Sequence, residues 1–241
     1  MNMKMKVLAL ALLGLAGYAG SAAAGCPASL VPPWTANLTG AGFGGTATSQ
    51  PGGLDGSACS LVMNFDGTAT VFTFVGVIDG TPANEPTYRF RFYIDATAIG
   101  SLGSFDSVQV FAANSAAAFD GFQNIIRIGL VGSNIVVAAA DNSNPGGSFI
   151  TLGSAPITSA VHWVEGQIIS GTPGTVKLWI DATAESDTPA ITLGPDNTGW
   201  NGVDVAALGL AQPQGAPLSG QAGRTLKLDG FDSRRTTFIG Q

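Results

Sequence analysis

The chain has 241 residues, of which 16 are acidic and 10 basic, giving a formal charge of −6. Charged residues are only 11% of the chain and apolar ones 45%, so it is not a disordered acidic segment, and it has no basic surplus for nucleic acid or an anionic membrane surface. The polar surface must be built mainly from Ser, Thr, Asn, Gln and Gly, a composition that suits an extracellular domain.

The first element is a leader. Lys4 and Lys6 precede an apolar run from Val7 to Ala16, and Ser21-Ala22-Ala23-Ala24 supplies small residues at the end. That order is the pattern of a secretory signal peptide, here residues 1–24, and the run is too short to span a bilayer. Cleavage takes Lys4 and Lys6 with it, leaving 8 basic against 16 acidic residues and a formal charge of −8 over about 217 residues. The mature chain carries no stretch long and apolar enough for a membrane span, so the expected location is extracellular or periplasmic. The only cysteines, Cys26 and Cys59, lie beyond the leader, and an even count in an exported chain predicts one disulfide between them. Gly25-Cys26 also offers a lipid-attachment alternative, less favoured because Ala23 stands where a branched apolar residue is usual.

Residues 25–56 are rich in Pro, Gly, Ala and Thr and are expected to wrap the edge of the fold, with one strand near Trp34–Leu38. Residues 57–241 read as a single domain of short apolar or alternating runs punctuated by Gly, Asn, Asp and Pro. The predicted strands are Ser60–Phe65, Thr70–Val77, Thr87–Ile94, Ser107–Ala112, Ile125–Val131, Asn134–Ala139, His162–Ile169, Thr175–Ile180, Val205–Leu210 and Leu226–Ser233. Gly132-Ser133 is a predicted hairpin turn. Helical periodicity is confined to short candidates at Ala96–Ser101 and Ala116–Phe122. Many short strands without a βαβ rhythm predict an all-β, two-sheet antiparallel sandwich with very little helix. Alternation puts Tyr88, Phe90 and Phe92 on one face and Arg89, Arg91 and Tyr93 on the other, and Leu178 opposite Trp179.

Three segments resemble the concanavalin A-like jelly-roll sandwiches, in the branch near laminin-G-like domains: Tyr88 to Asp95, the pair His162 to Glu165 with Leu178 to Asp181, and Leu228 to Arg235. Asp181-Ala182 departs from the Asp-Gly that usually ends the second strand of that pair. The resemblance implies a jelly roll over roughly Ser60 to Gly240. It does not choose among lectins, glycan-binding modules, glycoside hydrolases and polysaccharide lyases.

The residues narrow that choice. Hydrolysis needs two carboxylates across a cleft, but Glu85, Glu165 and Glu185 are scattered. Asp229 and Asp232 would point to opposite faces of an unbroken strand, unless a bulge brought them together. Lyase chemistry would call on Arg89 and Arg91 as cations and His162 or Tyr93 as base, yet a lone histidine at a strand mouth is more often an ordinary hydrogen-bonded residue. Zinc lacks ligands, and no cofactor motif appears. Calcium is a candidate at the oxygen-rich Asp141–Asn144 and Asp196–Thr198 loops, although such loops also occur without metals. The favoured expectation is a non-catalytic recognition domain for a polysaccharide or cell-surface glycan, with Arg89, Arg91, Trp179 and Trp200 as candidate contacts. The enzyme alternative is an extracellular lyase or hydrolase. A third alternative is a structural subunit of a surface layer, for which low charge and abundant small residues would suit close packing.

Overall fold

The computed structural model describes residues 26, 36–38, 45–65, 74–99, 102, 107–115, 124–140, 149–171, 173–196, 200–214 and 222–241. The expected leader (1–24), the loops at 141–144 and 197–198, and the helical candidate at 116–122 lie outside them.

The described residues form antiparallel strands: β1 (Ala36–Leu38), β2 (Gly45–Pro51), β3 (Cys59–Phe65), β4 (Phe74–Asp79), β5 (Thr87–Asp95), β6 (Ser107–Asn114), β7 (Asn124–Val131), β8 (Asn134–Ala140), β9 (Phe149–Pro156), β10 (Val161–Ile169), β11 (Thr175–Ile180), β12 (Ile191–Leu193), β13 (Val205–Gln214) and β14 (Thr225–Arg234). They make two seven-stranded sheets, in the orders β1-β4-β13-β6-β7-β8-β9 and β12-β11-β10-β5-β14-β3-β2. This is the predicted all-β jelly-roll sandwich.

Strand alternation builds the core. Phe90 and Phe92 of β5 stack on Phe111 of β6 across the sandwich, at 4.0 and 6.2 Å between centroids. Leu61, Val164, Leu178 and Leu228 fill the second sheet's inner face, and Ile126, Ile128, Val137 and Leu208 fill the first sheet's. Gly166 sits opposite Phe90 in the β5–β10 ladder, and a Cβ there would collide with the Phe90 ring, so the close aromatic packing requires glycine at that position. The β7–β8 hairpin turns on Gly132 at φ +56°, as a two-residue hairpin requires.

Three strands escaped the sequence reading. β2 lies inside the Pro/Gly-rich segment and is the edge partner of β3. β9 and the three-residue β12 also show no clean alternation. They bring the two sheets' edges together, with Gly153 facing the Ile191 and Leu193 side chains. The helical candidate after β5 is a single turn: Ile99 N–H donates to Ala96 O (3.1 Å), while an Asp95 carboxylate oxygen accepts Thr97 N–H (2.9 Å). Cys26 and Cys59 form the expected disulfide. It occupies the Cys26 sulfur that lipid attachment would need. Among the described residues, no helix is long and apolar enough to cross a membrane.

Candidate functional site

Two outer sheet faces are available to a ligand, and they differ sharply. On the second sheet the cross-strand registers set Arg89, Arg91 and Tyr93 beside Gln167, Glu165 and Trp163, and place Trp179 next to Glu165. The outward direction is as alternation requires. The exposure is not: Arg89 and Trp179 are buried, at 1% and 2% exposed.

The cover is the segment after β14. Ile239 and Gly240 N–H groups each donate to one Glu165 carboxylate oxygen, both at 2.8 Å, and Arg91 Nη1 donates to Gly240 O at 2.6 Å. Phe238 meets Trp179 edge-on at 5.7 Å, and the Arg89 guanidinium lies 5.8 Å from both ring centroids. Arg89 also pairs with Glu165 at 3.7 Å and with Glu185. Burial pushes the Glu165 carboxyl above the ordinary carboxylate range, against the opposing pull of the Ile239 and Gly240 N–H groups and the Arg89 and Arg91 charges. The basic-aromatic ladder is therefore a docking surface for the chain's own residues 238–240. Trp200 belongs to the core cluster and is 6% exposed. Glu165 and Phe238 were not among the expected contacts. Alternation could have paired Glu165 with Arg91, but Phe238 lies in an irregular segment that no periodicity marks.

The acidic pair Asp229 and Asp232 is brought to one face after all. A register shift in β14 sets them opposite Tyr93 and Arg91, with Gly230 at φ +55° between them. Their partners are structural. Asp229 accepts Leu54 N–H (2.7 Å) and the Ser57 hydroxyl (2.8 Å), and Asp232 pairs with Arg234 (3.1 Å). Among the described residues, no three His, Cys, Asp or Glu side chains gather as a metal site.

On the first sheet's outer face, the described residues of β6, β7 and β8 leave a depression. A groove of about 170 Å³ runs over Gly129, Val131, Val136 and Ala138, with Ser107, Gln109 and Arg127 supplying its polar groups. Gln109 pairs with Gly129 beside a bulge in β6, and Arg127 stands between Ala112 and Ala138. Burial holds the Arg127 pKa below the usual arginine value. Exposed Leu152 flanks Ala138 on β9. The arrangement can present a flat apolar surface to a ring and two planar polar groups to its substituents.

No protein-family model matches the chain, and no curated protein matches it in sequence. Solved structures do match in fold. An endo-β-1,4-glucuronan lyase from the fungus Trichoderma reesei aligns at TM-score 0.57 and 15% identity, over 88% of this chain and 94% of the lyase. A cellulose-induced protein aligns at 0.52 and 14% identity, over 80% and 87% of the two chains. A marine PL-14 alginate lyase from Aplysia kurodai aligns at 0.52 and 11% identity, over 79% and 87%.

Proposed function

We propose that this is an exported carbohydrate-recognition domain of the concanavalin A-like type, which binds its ligand without catalysis in a groove on the outer face of the first sheet. The observation that carries the reading is the β6–β8 groove, in which Arg127 and Gln109 border an apolar floor. Sugars are held by apolar contact with their C–H faces and by planar hydrogen-bonding groups at their rims. The positive charge of Arg127 at the edge of such a trough favours a carboxylate-bearing sugar over a neutral one. Two of the three neighbours are named as lyases of polysaccharides, which fits a carbohydrate ligand without choosing catalysis.

The groove's described lining contains no histidine, tyrosine, lysine or carboxylate that could abstract a proton, which favours binding over elimination. The Cys26–Cys59 disulfide supports an oxidising compartment.

The test is titration of the purified protein with uronate-containing and neutral oligosaccharides, with and without calcium, followed by calorimetry. Uronate oligosaccharides should bind, and Arg127→Gln should weaken them by about tenfold or more, the loss expected for one charge-assisted hydrogen-bonded pair. No binding across a broad panel of acidic and neutral glycans would overturn the proposal. Growth of the ultraviolet absorbance of unsaturated uronates during incubation would replace it with the lyase reading.

A further inference from the structure

At the far rim of the second sheet, three side chains from separate elements form a continuous hydrogen-bonded line. Thr158, in the turn between β9 and β10, has its Oγ1 at 2.8 Å from His162 Nε2. His162 opens β10, and its Nδ1 lies 2.6 Å from Asp181 Oδ2, just past β11. A carboxylate oxygen accepts, so Nδ1 carries the ring proton, and Nε2 of the neutral ring then accepts from the Thr158 hydroxyl. This is the connectivity of a nucleophile, a general base and the group that orients the base, with both separations inside the range such a relay needs.

The line is held from several sides. Asp181 adopts φ +56°, uncommon for a residue with a Cβ, and is fixed there by two bonds. Its N–H donates to Trp163 O at 2.9 Å, and its other carboxylate oxygen accepts Trp163 N–H at 3.1 Å. The Thr158 turn is pinned by Ile157 N–H to Ser133 O at 2.9 Å and by the Thr97 hydroxyl to Ser159 O at 3.1 Å. The His162 side chain keeps 12% of its surface accessible and Asp181 38%, so the line is reachable from solvent.

Thr158 also lines a cavity of about 50 Å³ whose other walls include Ala96, Ile99, Leu102, Leu130 and Ile157. An apolar cavity of ~150 Å³ accommodates benzene. The Thr158 cavity is about a third of that size, which favours a short acyl group over a long one.

We infer that Thr158, His162 and Asp181 form a second site, independent of the carbohydrate groove, that hydrolyses short-chain, acetyl-type esters. Thr158 Oγ1 attacks the ester carbonyl carbon while its proton passes to His162 Nε2. Collapse of the tetrahedral adduct breaks the bond to the alcohol oxygen, which takes that proton and leaves as the alcohol. Water, deprotonated by Nε2, then attacks acetyl-Thr158. The carboxylic acid departs and ionises in solvent, and the proton on Nε2 returns to the Thr158 oxygen. Asp181 holds the ring in the required tautomer and stabilises the imidazolium formed in each half-reaction.

The experiment uses the full chain with p-nitrophenyl acetate, butyrate and octanoate, and mass spectrometry of the acetate reaction quenched in acid. The expected result is release of nitrophenolate, fastest for acetate, with one acetyl group on the peptide that carries Thr158. Thr158→Val keeps the shape and should lose the adduct and lower the rate by about 10²-fold or more, while Thr158→Ser retains both. His162→Gln should lower the rate comparably, with thermal unfolding confirming that each variant is folded. Absence of hydrolysis by the unsubstituted protein, an undiminished rate in folded Thr158→Val, or acetyl found only on other residues would overturn the proposal.

Discussion

Glu165 shows how a buried charge can serve the chain rather than a ligand. Its two oxygens are divided between two consecutive backbone N–H groups, and two arginines flank it. Removing the carboxylate in Glu165→Ala leaves Arg89 buried without that partner and should cost about 3–5 kcal/mol, measured by urea unfolding at neutral pH. The pH dependence has a definite sign. Burial raises the folded-state pKa above the usual 4.5, so the folded protein binds more protons than the unfolded chain in that window. The protonation-linked part of the Glu165 contribution is thus fully present below pH 4.5 and is lost as pH rises through the raised folded value, while the bonds of the carboxylate to Ile239, Gly240 and Arg89 persist at neutral pH.

Asp79 acts in the opposite sense. Burial alone would raise it, but hydrogen bonds from Thr81, Ser233 and Tyr88 outweigh that and hold it below its usual 3.8. Its contribution is present above pH 3.8 and is lost as pH falls through the lowered value. Asp79 ends β4 in the first sheet, whereas Tyr88 and Ser233 belong to the second, so these bonds tie the layers together (3.0 and 2.7 Å). Asp79→Asn should destabilise by about 1–3 kcal/mol and flatten the acid limb of the unfolding profile, which urea midpoints from pH 2.5 to 5 would reveal.

At the level of elements, the close approach of β5 and β10 depends on Gly166. Gly166→Ala should cost about 1–3 kcal/mol by forcing the Phe90 ring off Phe111, with a loss of near-ultraviolet circular dichroism that accompanies the drop in midpoint. The segment after β14 makes a separate prediction. Phe238→Ala removes the ring from the Arg89–Trp179 cleft and should raise the fluorescence quenching of Trp179 by iodide, with hydrogen exchange accelerated at the Ile239 and Gly240 amides. Unchanged exchange at those amides would show that the Glu165 fork holds the segment without the ring. Alternation made β5, β7, β10 and β11 legible, because each has one face in the core and one outside it. It failed at β2, β9 and β12, which lie at sheet edges where only part of a strand is covered. Asp181 is instructive in the same way. The missing Asp-Gly pair reads as a departure from the family pattern, yet the aspartate itself takes the positive φ and turns its carboxylate back onto the neighbouring strand.

Across the whole molecule, the disulfide is the longest covalent restraint on the described chain, joining residues 33 apart. Replacing both Cys26 and Cys59 with serine should lower stability by about 3–4 kcal/mol, as the closure entropy of a loop that size implies, and reductant should reproduce the loss in the unsubstituted protein. Two-sheet architecture, the Cys26–Cys59 pairing and the direction of Arg89, Arg91 and Trp179 were set by local information: strand period, cysteine number and the two-residue repeat of side-chain facing. What covers an outward face is not local. Residues 238–240 close over the Arg89–Trp179 ladder from far along the chain, Gly240 lying 149 residues from Arg91, and Trp200 is drawn into the core. The β6–β8 groove and the Thr158–His162–Asp181 line likewise depend on which strands become neighbours. The sequence by itself determined which way each side chain points; only the tertiary structure decided which of them water, or a ligand, can reach, because exposure is a property of every segment packed against a face.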